Sequence, residues 1–286
     1  MLVIVGYIVV VGCVFGGYAL HGGHLAALWQ PTEVLTILGG AIGAFVVSNS
    51  PKVSKATLGA LPKVLKGSAH SKARYMAMMA LLFEILTKIR KEGLMSIERD
   101  VEEPHESPMF NKYPEVSGDH HLIEFITDYL RLMVSGNLNP MEIEALMDSE
   151  IETHHHEAEG PSHAMAKLGD GLPAFGIVAA VMGVVHVMGS VGKPPAELGL
   201  MISAALVGTF LGILLAYGFV TPLAGLMEQF VQEDTKQFEC VKVTLLASLN
   251  GYSPALAIEF GRKVLYSTER PTFGELETHV KQQGKK

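Results

Sequence analysis

The chain has 286 residues, 49% of them hydrophobic and only 18% charged, with a mean hydropathy of +0.30 and a formal net charge of −7. This balance excludes an ordinary soluble enzyme and gives nucleic acid no basic surface to hold, and it points to an integral membrane protein. The two cysteines, Cys13 and Cys240, stand too far apart in sequence to suggest a disulfide framework or a metal site.

Four runs lack Asp, Glu, Lys and Arg: Leu2–Leu20, 34–50, 171–192 and 198–227. Each is close to or above the ~17–25 residues a helix needs to cross the hydrocarbon of a bilayer, so four transmembrane helices are expected. The first run has no basic segment before it and no clear cleavage site after it, and it reads as a retained anchor rather than a signal peptide.

After the second run, "PKVSKATLGALPKVLK" sets Lys52, Lys55, Lys63 and Lys66 around Val53, Leu58, Leu61, Val64 and Leu65. That pattern suits either a helix lying on lipid headgroups or a linker helix. "RYMAMMALLFEILTKIRKEG" then repeats apolar residues at helical spacing (Tyr75, Met79, Leu82, Leu86, Ile89), with Gly93 as its C-cap. "HLIEFITDYLRLMVSG" does the same with Leu122, Phe125, Ile126, Tyr129 and Met133 and stops at Gly136. These two helices are expected to pack together in a polar helical bundle. Asn139-Pro140 opens a further, acidic helix that contains His154, His155 and His156. Adjacent side chains on a helix point about 100° apart, so three histidines in a row cannot all face one ion, and no metal site is expected.

Basic residues crowd 51–100 and the tail beyond Met227, whereas the short links 21–33 and 190–197 hold only Lys193. Positive residues stay on the cytoplasmic side, so both termini and the long middle segment are expected to be cytoplasmic.

No phosphate-binding loop, H-E-x-x-H or G-x-S-x-G motif or paired-cysteine motif occurs, so neither a hydrolase nor a nucleotide-driven pump is expected, and no cofactor. What chemistry there is must lie in the spans. Gly176, Ala180 and Gly183 form one small-residue ridge, and Gly208, Gly212 and Ala216 another, which lets helices approach closely in lipid. Thr209 lies beside the second ridge, where its hydroxyl either faces a neighbouring helix or water, or bonds back to the Ala205 carbonyl. Pro173 is read at the first turn of the third span, Pro222 deeper in the fourth, where it removes a backbone donor and can kink the helix. His186 is read as an interfacial histidine. None of the four runs contains a carboxylate, so this chain alone is an incomplete ion pathway.

The segments "VFGGYALHGG", "EIEALMDSEIETH", "LPAFGIVAAVMGVVH", "VGTFLGILLAYGF" and "CVKVTLLASLNGY" resemble the flagellar motor stator family MotA, of the proton-driven type, along nearly the whole chain. The resemblance implies an all-α integral membrane protein divided into a transmembrane hairpin at 1–50, a cytoplasmic rotor-contacting insert at 51–170, a second hairpin at 171–227 and a cytoplasmic tail at 228–286. It implies a bacterial inner-membrane location and a homo-pentamer around two copies of the single-span partner MotB, whose membrane aspartate supplies the missing acid. It places Pro173, Ala180, Thr209 and Pro222 along the ion path and its coupling, and Arg90 and Glu98 in contact with the rotor protein FliG. Ala180 stands where sodium-driven relatives have threonine, which implies protons, and Leu206 stands where close relatives can carry methionine. The alternative is a proton-channel subunit of a TonB- or Tol-like complex, against which the four spans and the Arg90/Glu98 segment speak.

Overall fold

The computed structural model describes residues 2–67, 70–136 and 139–283, and its regular structure is helical throughout. Contacts divide the chain into two compact units, Met1–Ser68 with Ala158–Phe230, and Ala69–Glu157 with Val231–Lys286.

The first unit holds α1 (Leu2–Leu20), α2 (Pro31–Ser48) and α3 (Pro51–Lys66). Four helical segments of the chain are long and apolar enough to cross a membrane, and the second of them starts at Leu25. α1 buries no residue inside this chain, and a helix that is apolar all round and still exposed is one whose solvent is lipid. α2 turns Ile37 and Ala41 inward, and its Gly40 lies so close to the Phe175 ring that a methyl group there would overlap it. Ser50 caps α3 by accepting from the Val53 amide at 3.3 Å, with Pro51 at the first helical position, where its missing N–H costs nothing. α3 seats Val64 beside Met165, Ala224 and Met227, and leaves its four lysines exposed.

The second unit takes α4 (Lys72–Glu92), the short helices α5 (Glu98–Glu102), α6 (Pro108–Asn111) and α7 (Pro114–Ser117), and α8 (His120–Ser135). As the apolar periodicity indicates, α4 and α8 share one core, with Met79, Leu82 and Leu86 from the first and Leu122, Phe125 and Ile126 from the second all buried. Gly93 and Gly136 end the two helices at φ of 86° and 68°, a region only glycine enters without a Cβ penalty. Asp119 caps α8 through the Leu122 amide and pairs with Arg74 at 2.5 Å, while Gln237 donates to it at 3.1 Å. Burial alone would raise the Asp119 carboxyl, but these hydrogen bonds and the Arg74 charge together hold it below the usual aspartate range.

Three further helices precede the end of the chain: α9 (Pro140–Met188), α10 (Pro195–Leu215) and α11 (Thr221–Leu249). Asn139 and Glu142 form a reciprocal cap at the start of α9, each side chain accepting from the other's amide at 2.9–3.0 Å. α9 then runs for 49 residues through Pro161 and Pro173. This corrects the first-turn reading of Pro173: the polar stretch before it continues the helix, so the proline sits deep inside and deprives the Gly169 carbonyl of its usual donor. The tail is no loose appendage. α12 (Pro254–Val264) packs on α4, Ala257 and Ile258 join the same core, and α13 (Phe273–Gln283) adds Leu276 and Val280.

Candidate functional site

The site begins where α9 and α10 cross. A methyl group on Gly176 would lie 2.9 Å from the Gly208 carbonyl and 3.1 Å from the Gly212 Cα, and one on Gly212 would lie 2.7 Å from the Leu172 carbonyl. Gly183 meets Ala205 equally closely. The ridges read from sequence therefore interlock backbone against backbone, which is how helices gain dispersion energy in lipid without a hydrophobic driving force. Ala179 is the alanine buried in this seam; Ala180, one position on, is half-buried beside it.

Thr209 follows Gly208 at the seam and is also half-buried. Thr36, Thr57, Thr235 and Thr244 each donate to the carbonyl four residues back, whereas among the described residues Thr209 has no hydrogen-bonded partner. Of its two sequence readings, the structure thus supports a hydroxyl left free for a neighbour. Leu206 is 61% exposed and lies off the seam, and His186 is exposed near the end of α9.

Below the seam the contact around the two span prolines forms. α10 gives way to a π-helical turn over Ala216–Val220, followed at once by Thr221 and Pro222. Proline brings no N–H, and widening the preceding turn is one way a helix absorbs that loss without breaking. The Tyr7 hydroxyl of α1 donates to the Phe219 carbonyl at 3.0 Å and so satisfies one acceptor of this turn. Thr221 packs against Gly169, the residue whose carbonyl Pro173 leaves without its donor: a methyl group on Gly169 would lie 2.6 Å from the Thr221 hydroxyl oxygen. That hydroxyl is buried without a hydrogen-bond partner. Pro173 and Pro222 thus weaken the backbone bonding of two helices at one contact, an arrangement able to bend.

One candidate group escapes a reading of the sequence by its charge-free runs. The second span takes in Glu33, so the four spans do not lack a carboxylate. Counting only charge-free runs starts the span at position 34 and sets the acid outside it. The signal that could have found it is its place in the first turn after Pro31, directly ahead of an unbroken apolar run.

The second unit carries the other predicted residues. Arg90 and Glu98, at the end of α4 and the start of α5, are both exposed and make no ion pair among the described residues. Two pairs form nearby, Lys88 with Asp100 at 2.7 Å and Lys112 with Glu84 at 2.6 Å, while the adjacent Lys91, Glu92 and Arg99 are exposed like Arg90 and Glu98. The three consecutive histidines go separate ways, as the helical period dictates. His154 packs on the Phe238 ring, His155 hydrogen-bonds Thr235 at 2.8 Å, and His156 approaches Glu152 at 3.8 Å. No group of three metal-ligating side chains exists among the described residues.

Four apolar spans, a glycine seam between two of them, a hydroxyl beside that seam, an acid within the second span and a proline-weakened contact below the seam define a membrane subunit of the ion-conducting type. Residues 4–93 match the model of the motility protein A N-terminal family, and residues 118–240 match the MotA/TolQ/ExbB proton channel family. The chain is 56% identical to motility protein A of Salmonella typhimurium and 57% identical to that of Escherichia coli, in both cases over 98% of this chain and 95% of the relative. The fold is similar to that in the structure of C. jejuni MotAB, with a TM-score of 0.76, 21% identity and coverage of 93% of this chain and 95% of that one. The chain belongs to the motility protein A family.

Proposed function

We propose that this chain is a stator subunit of the bacterial flagellar motor which, with a single-span partner of the MotB type, conducts protons through the inner membrane and converts their flow into torque on the rotor. The identity to motility protein A over nearly the full chain carries this reading. It favours the motor over a TonB- or Tol-like energising complex. Both termini and the segment between the second and third spans face the cytoplasm, five copies surround two partner helices, and the partner's aspartate is the main proton carrier.

Within this reading Ala180 and Thr209 flank the path, and Pro173 with Pro222 let α9 and α10 flex as the partner's acid gains and loses its proton. A sodium ion that shed its water beside Ala180 would meet a methyl group where it needs an oxygen, whereas a proton bound as a neutral acid needs no coordination shell. Exchanging external sodium for potassium at fixed pH and membrane potential should leave the rotation of tethered cells unchanged, while a protonophore should stop it. Rotation that tracks sodium concentration would overturn the proton assignment.

Arg90 and Glu98 supply the rotor contact, because unpaired surface charges contribute little to folding and steer docking between surfaces. Reversing either charge should slow swimming while the stability of the chain stays within the ~0.5 kcal/mol scatter of surface substitutions, so that its membrane level is unchanged. A compensating reversal on FliG should restore part of the speed. Single reversals that abolish accumulation would show both residues to be structural instead.

A further inference from the structure

Glu33 stands in the first turn of α2, and its Oε2 atom is buried with no hydrogen-bond partner. A methyl group on Gly208 would lie 2.8 Å from that oxygen, 3.1 Å from the Ala179 Cβ and 3.3 Å from the Ala180 amide nitrogen. The carboxyl therefore rests against the glycine seam of α9 and α10, one residue, or about 1.5 Å of helix rise, from the level of Ala180 and Thr209.

Among the described residues no counter-charge pairs with it. On the elements near it, Lys167 and Asp170 of α9 lie nine or more residues, about 13 Å of helix rise, from Ala179. The nearer ionisable groups are His186 of α9, which is exposed, Glu197 of α10, which pairs with Lys193 at 2.5 Å, and His21 and His24 in the exposed link before α2. α1 offers Tyr7, Cys13 and Tyr18, of which Tyr7 is engaged with Phe219. With no partner for its buried oxygen and no counter-charge beside it, that seat disfavours an ionised carboxylate and accepts the neutral acid. Acids inside a membrane are rare and mark ion pathways.

We propose that Glu33 is a second proton-binding carboxyl of the stator, seated at the α9/α10 seam beside Ala180 and Thr209 and loaded from the outer water. The chemistry is a single reversible step: the carboxylate takes a proton from water, turns as a neutral acid into the seat beside Gly208, and on release passes the proton towards the partner's aspartate. No other bond is made or broken. The group supplies protons to the partner's acid and does not replace it, and the inference rests on the proton-stator reading.

The test is Glu33→Gln, which keeps the shape and removes the titration, made in the full stator with its partner. Stator number per motor, read as torque steps, and stall torque are expected to stay unchanged. Speed at low load, where proton delivery limits rotation, should fall about two- to threefold, well short of the ~10²-fold or more that a sole proton-transfer group can contribute. The dependence of that speed on external pH should flatten. Infrared titration of the purified complex should lose one protonated-carboxyl band in Glu33→Gln and show it shifted in Glu33→Asp, a readout independent of motility. Wild-type low-load speed and pH profile in Glu33→Gln, with every carboxyl band retained, would overturn the proposal. The proton-stator reading could survive that result, because it falls to the sodium exchange and not to this variant.

Discussion

Replacing Gly212 by valine should abolish motility by preventing the chain from accumulating in the membrane. The reason is local and geometric. A Cβ at Gly212 would meet the Leu172 carbonyl at 2.7 Å and the Gly176 Cα at 3.0 Å, and both are backbone atoms of α9, with no side chain able to swing aside. The helices must separate, and with them go the Gly183–Ala205 contact above and the Leu172 packing below. Overpacking in a tight core costs about 1–3 kcal/mol, and a clash with backbone belongs at or beyond the top of that range. At about 1.4 kcal/mol per decade, that corresponds to roughly a hundredfold loss of correctly packed subunit. Gly212→Ala should lose less, since one methyl group demands a smaller separation. Gly225 of α11 is the control: a methyl group there meets nothing within 4 Å, so Gly225→Ala should be neutral, or stabilising by the ~0.5–1 kcal/mol that glycine costs inside a helix. Quantitative immunodetection of membrane fractions, paired with swimming assays, gives the answer. Normal accumulation and rotation in Gly212→Val would show that the seam is not what holds α9 to α10.

The contrast between those two glycines shows what sequence can and cannot convey. Charge-free length identified the spans, because the cost of carrying charge through hydrocarbon leaves a compositional mark. Helical periodicity identified α4 and α8 and, through Gly93 and Gly136, their ends. The small-residue ridges were legible too, but not which alanine enters the seam: Ala179 and Ala180 are adjacent, and the roll of the helix that buries the first is decided by its neighbours. The same rule that found the spans concealed Glu33, since a buried neutral acid and a solvated carboxylate are written with the same letter. Pro173 was misread for a related reason. The polar stretch ahead of it looks like the mouth of a span, and Gly169, Asp170 and Gly171 are poor helix formers, yet the helix continues because packing of Leu168 and Leu172 in one buried cluster and of Gly169 against Thr221 overrides local propensity. The π-turn before Pro222 shifts the register of α11 with no compositional trace, and α12 joins the α4 core through contacts far apart in sequence. Arg90 and Glu98 are the opposite case. Nothing in their local sequence sets them apart from other surface charges, and their exposure is shared by Lys91, Glu92 and Arg99, so it is the family resemblance alone that singles them out.

The chain expressed without its partner should leave cytoplasmic pH unchanged when the medium is acidified, even though it carries Glu33. A proton crossing ~30 Å of hydrocarbon needs a chain of groups or water able to bind and release it on both sides of the barrier. Glu33 provides one such group at one depth. Towards the π-turn the seam is closed, Gly176 against Gly212 and Gly212 against the Leu172 carbonyl, with backbone atoms too close to admit water. The remaining polar atoms there, such as the unpartnered Thr221 hydroxyl, bind a proton far too weakly to serve as a relay at neutral pH. A mobile acid on a separate helix, alternately exposed to the Glu33 level and to the cytoplasmic end, is therefore required. The experiment monitors cytoplasmic pH with a ratiometric probe after an external acid step, in cells making this chain alone, this chain with its partner, and this chain with a partner whose membrane aspartate is replaced by asparagine. Acidification is expected only with the intact partner, and under those conditions Glu33→Gln should slow it without abolishing it. Acidification by the chain alone at ordinary expression would mean that the closed seam opens by itself, and the division of labour between a conducting partner acid and a proton-delivering Glu33 would have to be abandoned.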